Sequence, residues 1–475
     1  MIYFTHYIPW NDDSRMTSGV KGIEDIETIF CRNGARLLPI PSKRRTHHLT
    51  PARRLALQRP ILRTWQEACG PLLPGDALVI LLPLHEKFGL LGRLIRSLKS
   101  RGIKVVFLAA DLELARPATY SGLKRSYVTR QELSYLRQAD GIITHNQAYT
   151  RLLQSRGITG PFMEFGLFDY LIPEAQLRKL QSRRNGGMPL TPDTGSGRPN
   201  GGTPLTPDAG SGRPNGGTPL TPDTDSGRPN GGTPLTPDAG SDRPNGGTPL
   251  SLDAGSGRPN GGTPLSPDAG SGRLSGGTPR PDGPVIIATN LNPEKAGYAY
   301  RLPAGTEFVL YGPNYRPELQ RSDGAPGSSG PSKRRPEDRN YSNAPGPRIT
   351  YGGAFQADDL IDHMDGSYGL LWDGPSPDTC AGPYGRYMRV NTPHRISLFL
   401  ACGIPVIVWD QSAMAPLVLE HGIGFAVSSL GEISAKRMEI SAEQYSEMAK
   451  KAWLMGARLR RGENTASILE QIGQL

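Results

Sequence analysis

The chain has 475 residues with 54 Lys and Arg against 44 Asp and Glu, a formal net charge of +10, and four cysteines. This length exceeds one ordinary domain. Cysteines without a CxxC spacing exclude a disulfide framework and a zinc site, and no apolar run reaches the roughly 18 residues of a membrane span. The N-terminus lacks a basic region, apolar core and cleavage site, so a cytoplasmic protein is expected, at most peripheral to the inner face of a membrane.

In chain order, Met1 to Tyr7 reads as a strand with His6 near its end, and Ser18-Gly19-Val20 falls in the loop that follows. Ala77 to Leu82 is a second strand. Phe88 to Ser100 is a helix with Leu90, Leu91, Leu94, Ile95 and Leu98 on one side. Ile103 to Ala109 is a third strand, which delivers Asp111 to a carboxyl end. Thr129 to Gln138 reads as a helix, Gly141 to Thr144 as a strand and Gln147 to Ser155 as a helix. This alternation implies a parallel, doubly wound α/β sheet.

From Gly186 a unit close to GGTPLTPDAGSGRPN recurs every 15 residues, decaying after Gly276. Each unit offers one or two Leu and no aromatic, too little burial to offset its ordering entropy, so a disordered linker is expected over residues 183–283. Loop closure grows only logarithmically with length, which makes such an expansion tolerable in a surface loop. Between Gly186 and Ser275 eight Asp outnumber six Arg, so the excess positive charge belongs to the remaining parts. It suits anionic nucleotides, an anionic lipid-linked acceptor or a membrane surface. No basic run is interleaved with aromatics, and nucleic acid is not expected.

Beyond the repeats Val285 to Thr289, Glu307 to Tyr311, Ile349 to Tyr351, Gly369 to Trp372 and Val406 to Trp409 read as strands, Phe355 to Met364 and Ser441 to Gly456 as helices. Arg316 to Pro347, rich in Pro, Ser and Gly, reads as a loop insert. The expected division is a first domain over 1–182, the linker, a second domain over 284–440 and a C-terminal helical segment over 441–475. Two such domains suggest the GT-B arrangement, two Rossmann-like units facing across a cleft, with ligands beyond the carboxyl ends of the strands.

Two helix starts carry the chemistry. Asn391 or Thr392 is placed to cap a helix, with Pro393 in its first turn, Ile396, Phe399 and Leu400 on one face and Gly403 at its end. His394 and Arg395 in that first turn oppose the helix dipole unless an anion sits there, and diphosphate fits. After the strand Val285 to Thr289, Asn290 leads into a turn where Asn292 can cap, Pro293 can open a helix, and Lys295 lies in the first turn. Positive charge on both sides would neutralise a leaving nucleotide diphosphate.

The run Asn391-Thr392-Pro393-His394-Arg395-Ile396-Ser397-Leu398 resembles the Asn-Asn-Pro-His-Lys-x-Ser-Leu of a bacterial GT-B family that includes adhesin glucosyltransferases and β-1,6-galactofuranosyltransferases. Asp373-Gly374 after Trp372 resembles its Trp-Asp-Gly loop, with Gly382, Gly385 and Tyr387 in the same match. Asp111 to Arg116, Ala139 to Asn146 and Gly166 to Leu171 match more thinly, with Ala110 where the family often has His. The resemblance implies a glycosyltransferase moving a hexosyl unit, galactofuranosyl or glucosyl, from a UDP-sugar to a glycan, glycolipid or glycoprotein acceptor. Exopolysaccharide or glycoprotein assembly is the expected setting. It implies Asn290, Lys295, Asp373, Gly382, Gly385, Tyr387, Asn391, His394 and Arg395 around the donor, the backbone of Ser18 and Gly19 beside it, and no cofactor.

Asp111 is the candidate base toward an acceptor hydroxyl, with His6 as its competitor. Asp111-x-Glu113 only imitates the metal pair of other transferases, so no metal is expected. Leu398 stands where many retaining relatives hold ribose with a Glu, and the mechanism of those enzymes does not carry over. An epimerase or hydrolase of the same fold, or a non-catalytic binding protein, stays open, as does a homo-oligomer.

Overall fold

The computed structural model describes residues 1–8, 18–41, 50–84, 88–116, 122–184, 280–320 and 347–475. The 15-residue repeats and most of the second insert lie outside the described residues.

The first half forms an all-parallel sheet of β1 (Ile2–Ile8), β2 (Arg36–Pro41), β3 (Ala77–Leu82), β4 (Lys104–Ala109), β5 (Gly141–Thr144) and β6 (Phe162–Glu164), in the order β2-β1-β3-β4-β5-β6. Its helices are α1 (Ser18–Arg32), α2 (Pro51–Ala68), α3 (Leu91–Ser100), α4 (Gly122–Leu136), α5 (Gln147–Gln154) and α6 (Glu174–Arg184). β3 reads Ala-Leu-Val-Ile-Leu-Leu and is buried throughout, as a central parallel strand covered on both faces must be. Helices α2 to α5 cover one face and α1 the other.

The second half repeats the design with β7 (Val285–Ala288), β8 (Glu307–Tyr311), β9 (Arg348–Gly353), β10 (Tyr368–Leu371), β11 (Val406–Trp409) and β12 (Gly424–Val427), again all parallel, in the order β12-β11-β10-β7-β8-β9. Its helices are α7 (Pro293–Ala296), α8 (Ala357–Leu360), α9 (Gly382–Tyr387), α10 (His394–Ala401), α11 (Ala415–His421), α12 (Ile433–Met438), α13 (Ala442–Arg461) and α14 (Glu463–Gly473). β7 and β10 are neighbours although distant in sequence, so the connections diverge between them. That topological switch point is where open α/β sheets bind ligands.

The structure departs from the sequence reading in places. Ser18 and Gly19 open α1 rather than lying in a loop, and α4 begins at Gly122 rather than Thr129. The C-terminal segment is two helices broken at Gly462 (φ +79°), where a Cβ would come within 2.8 Å of Ile29. α13 packs on α10, whereas α14 crosses to the first half and buries Ile468 and Ile472 with Phe4 and Phe30. Asp169 accepts from the amides of Thr465 (2.6 Å) and Asn464 (3.4 Å), satisfying free N–H groups at the start of α14.

Candidate active site

Lys295 is presented by a turn that the local sequence builds. Asn290 Oδ1 accepts from the Asn292 amide and from Asn314 Nδ2, both at 3.0 Å, and Asn292 Oδ1 accepts from the Glu294 amide at 3.0 Å. Pro293 then opens α7, a single turn standing over the end of β7. Asp373 follows the adjacent β10, and the two segments lock together: the Gly374 amide donates to Lys295 O at 2.6 Å. Gly374 has φ +117°, and a Cβ there would lie 2.4 Å from Ala381 O. A Cβ at Gly385 would lie 2.4 Å from the Cys380 carbonyl carbon. The close approach at Gly374 and Gly385 is thus between chain segments.

Arg395 and His394 also differ from expectation. Arg395 is buried, with Nη2 2.9 Å from Asp373 Oδ1 and donating to Trp372 O at 3.1 Å, and Nη1 donating to Thr289 Oγ1 at 3.0 Å. Asp373 supplies the anion that the helix start was expected to seek, and it is held against Arg395 rather than open to sugar hydroxyls. The buried ring of His394 is pushed down to about 4 by desolvation and the Lys21 charge, so it is neutral at neutral pH. It fills the space left by Gly22 of α1, whose added Cβ would fall 2.8 Å from the ring. The first turns of α1 and α10 therefore lie together. No side chain caps α10: Pro393 occupies the cap position, and Asn391 and Thr392 precede it.

Thr392 instead joins the two halves. Its hydroxyl donates to Gly166 O (3.0 Å) and accepts from Asn146 Nδ2 (3.0 Å), while Asn146 also donates to Val390 O (3.0 Å). The Thr392 amide donates to His145 Nδ1 at 3.3 Å, so the other ring nitrogen carries the proton and donates to Ala110 O at 3.2 Å. Burial lowers the His145 pKa and keeps this tautomer neutral. His145 and Asn146 lie in a segment of the family resemblance, and the local signal there is Asn before a helix, which Asn146 fulfils by capping α5.

Asp111 lies just past β4 with its side chain 43% exposed. Oδ1 accepts from Tyr387 Oη at 2.9 Å, and Oδ2 is 3.2 Å from Arg116 Nη1. Tyr387, from α9, is buried in the core of the first half, so it fixes Asp111 rather than facing a donor. Glu132 on α4 holds the same loop: its carboxylate accepts from the amides of Glu113 (2.9 Å) and Leu114 (3.2 Å), and burial raises it to about 7. His6 is bound to Glu27 of α1 at 2.9 Å and stands on β1, two strands from β4. Leu398, buried in the second core, is not available to ribose.

One charge remains. The Lys295 ammonium has no hydrogen-bond or ion-pair partner among the described residues, and burial lowers its pKa. The charges of Asp373 and Asp111 act against that fall, Arg395 and Arg116 with it, so groups from both halves converge on this ammonium.

The family models for glucosyltransferase 3-like N-terminal and C-terminal domains match residues 2–167 and 335–472. Over 190 residues the chain is 29% identical to β-1,6-galactofuranosyltransferase WbbI of Escherichia coli strain K12, 40% of this chain and 48% of that protein. Over 129 residues it is 30% identical to glucosyltransferase 3 of Streptococcus gordonii, 26% of this chain and 37% of that protein. The chain thus spans less than half the length of these curated relatives. The solved sucrose-phosphate synthase of Thermosynechococcus elongatus shares the fold with a TM-score of 0.51 at 10% identity, covering 100% of this chain and 98% of that one.

Proposed function

We propose a function from the premise that this chain belongs to the glucosyltransferase 3-like family and has the GT-B fold: it transfers a hexosyl unit from a UDP-sugar to the hydroxyl of a glycan, glycolipid or glycoprotein acceptor. The observation that carries this reading is Lys295, a half-buried lysine at the switch point of the second sheet whose ammonium has no ion-pair partner among the described residues. A diphosphate there restores the charge balance that burial disturbs, and the interaction strengthens as negative charge develops on the leaving nucleotide. Arg395 makes no direct contact in this reading, because Asp373 holds and neutralises its guanidinium.

Across the cleft Asp111 is fixed by Tyr387 and Arg116, with both carboxylate oxygens engaged and nearly half of the side chain open to solvent. That suits orientation of an acceptor hydroxyl and receipt of its proton as the new bond forms. The similarity to a galactofuranosyltransferase and to a glucosyltransferase favours galactofuranosyl or glucosyl as the unit moved.

A panel of nucleotide sugars, screened by thermal shift and then by transfer to candidate acceptors, tests the reading. UDP-sugars should raise the melting temperature, and one should be consumed only when acceptor is present. Consumption without acceptor would identify a hydrolase or epimerase, and no shift with any nucleotide would reduce the chain to a binding protein of another kind.

A further inference from the structure

α2, α3 and α4 form a surface that the proposed transfer does not use. α2 packs on α3 and α3 on α4, with Ile61, Trp65, Leu94, Leu98, Tyr135 and Leu136 turned into one core. Gln58 of α2 and Gln131 of α4 converge on Gly89, where an added Cβ would lie 3.2 and 3.6 Å from them. α2 and α4 therefore close together above the start of α3. Each of the three follows the carboxyl end of a strand, so their first turns stand at the cleft side of the sheet.

The sequence of these helices holds ten Lys and Arg against two Glu, and one of those, Glu132, is buried. That excess nearly accounts for the net charge of +10 of the whole chain. Among the charges, in the first two turns of α2 and α4, stand Leu55 at 75%, Leu123 at 92% and Tyr127 at 64% exposure. A single exposed Leu is ordinary. Three large exposed apolar side chains on two helices that also carry the exposed Arg53, Arg59, Arg125 and Arg130 combine the two attractions that hold a protein at an anionic bilayer. Single-stranded nucleic acid would draw on stacked aromatics, and two of these three side chains are aliphatic.

We infer that this face docks on an anionic lipid surface. The arginines meet headgroups, Leu55, Leu123 and Tyr127 enter the interface, and the cleft opens toward the bilayer. Attachment is peripheral, because no helix among the described residues is long and apolar enough to cross a membrane.

The test is co-sedimentation of the full chain with phosphatidylcholine vesicles, with and without phosphatidylglycerol, which requires no transfer activity. The wild type should sediment with the anionic vesicles and not with the neutral ones, and high salt should release much of it. Arg59→Glu/Arg125→Glu should weaken partitioning roughly tenfold or more, and Leu55→Ser/Leu123→Ser/Tyr127→Ser should weaken it at unchanged charge. All five side chains are exposed, so circular dichroism should confirm the fold of both variants. Equal sedimentation with both vesicle types, or unchanged binding by both variants, would overturn the inference. So would tight binding of polyuridylate by a protein that ignores vesicles.

Discussion

At the scale of single residues, Lys295 and Arg395 show what a local pattern conveys. Lys295 was readable because everything that places it is local: a buried strand, Asn292 at the cap and Pro293 behind it. Arg395 was misread because its partner is not local. Asp373 arrives from the neighbouring strand end, and only the pairing of β10 with β7 and β11 brings the two together. Glu132 offers a test at this scale. Burial raises it from the ordinary 4.5 to about 7, so the folded chain holds a proton where the unfolded chain has lost it. Its contribution to stability is full below about pH 4.5 and is lost as pH rises through 7, on the order of 3 kcal/mol. Glu132→Gln removes the titrating group. Urea denaturation at pH 5 and pH 8 should show wild type losing stability relative to the variant as pH rises, and a constant difference would contradict the burial argument.

Among the elements, the β–α alternation was legible wherever strands were apolar runs. β2, with two prolines at the sheet edge, and β6, three residues long, gave no comparable signal, and α2 interrupts its pattern with Pro60 and several arginines. The joints between elements were the least legible. Thr392 looked like a helix cap and is a bolt between the halves, because Asn146 and His145 sit opposite it only after both sheets have formed. The docking of α14 is a joint of the same kind. Asp169→Ala would leave the Thr465 and Asn464 amides without their acceptor, at a cost of about 1–2 kcal/mol. Hydrogen exchange should then speed up across residues 463–473 while the central strands stay protected. Unchanged exchange in α14 would mean that apolar packing alone holds it.

For the molecule as a whole, the two halves meet through polar contacts as well as packing. Lys21 of α1 lies 2.9 Å from both Asp25 and Asp358 of α8, Tyr387 reaches Asp111, and α14 returns to the first sheet. These contacts set the ends of the two sheets opposite each other, and the Lys295 ammonium there has no ion-pair partner among the described residues. Isothermal titration of UDP into wild type and Lys295→Ala, each checked for fold by circular dichroism, tests this most directly. One lost charge-assisted contact to diphosphate should weaken binding roughly tenfold to 100-fold. Equal affinity in the two proteins would contradict the assignment of Lys295 to the donor and the functional reading built on it.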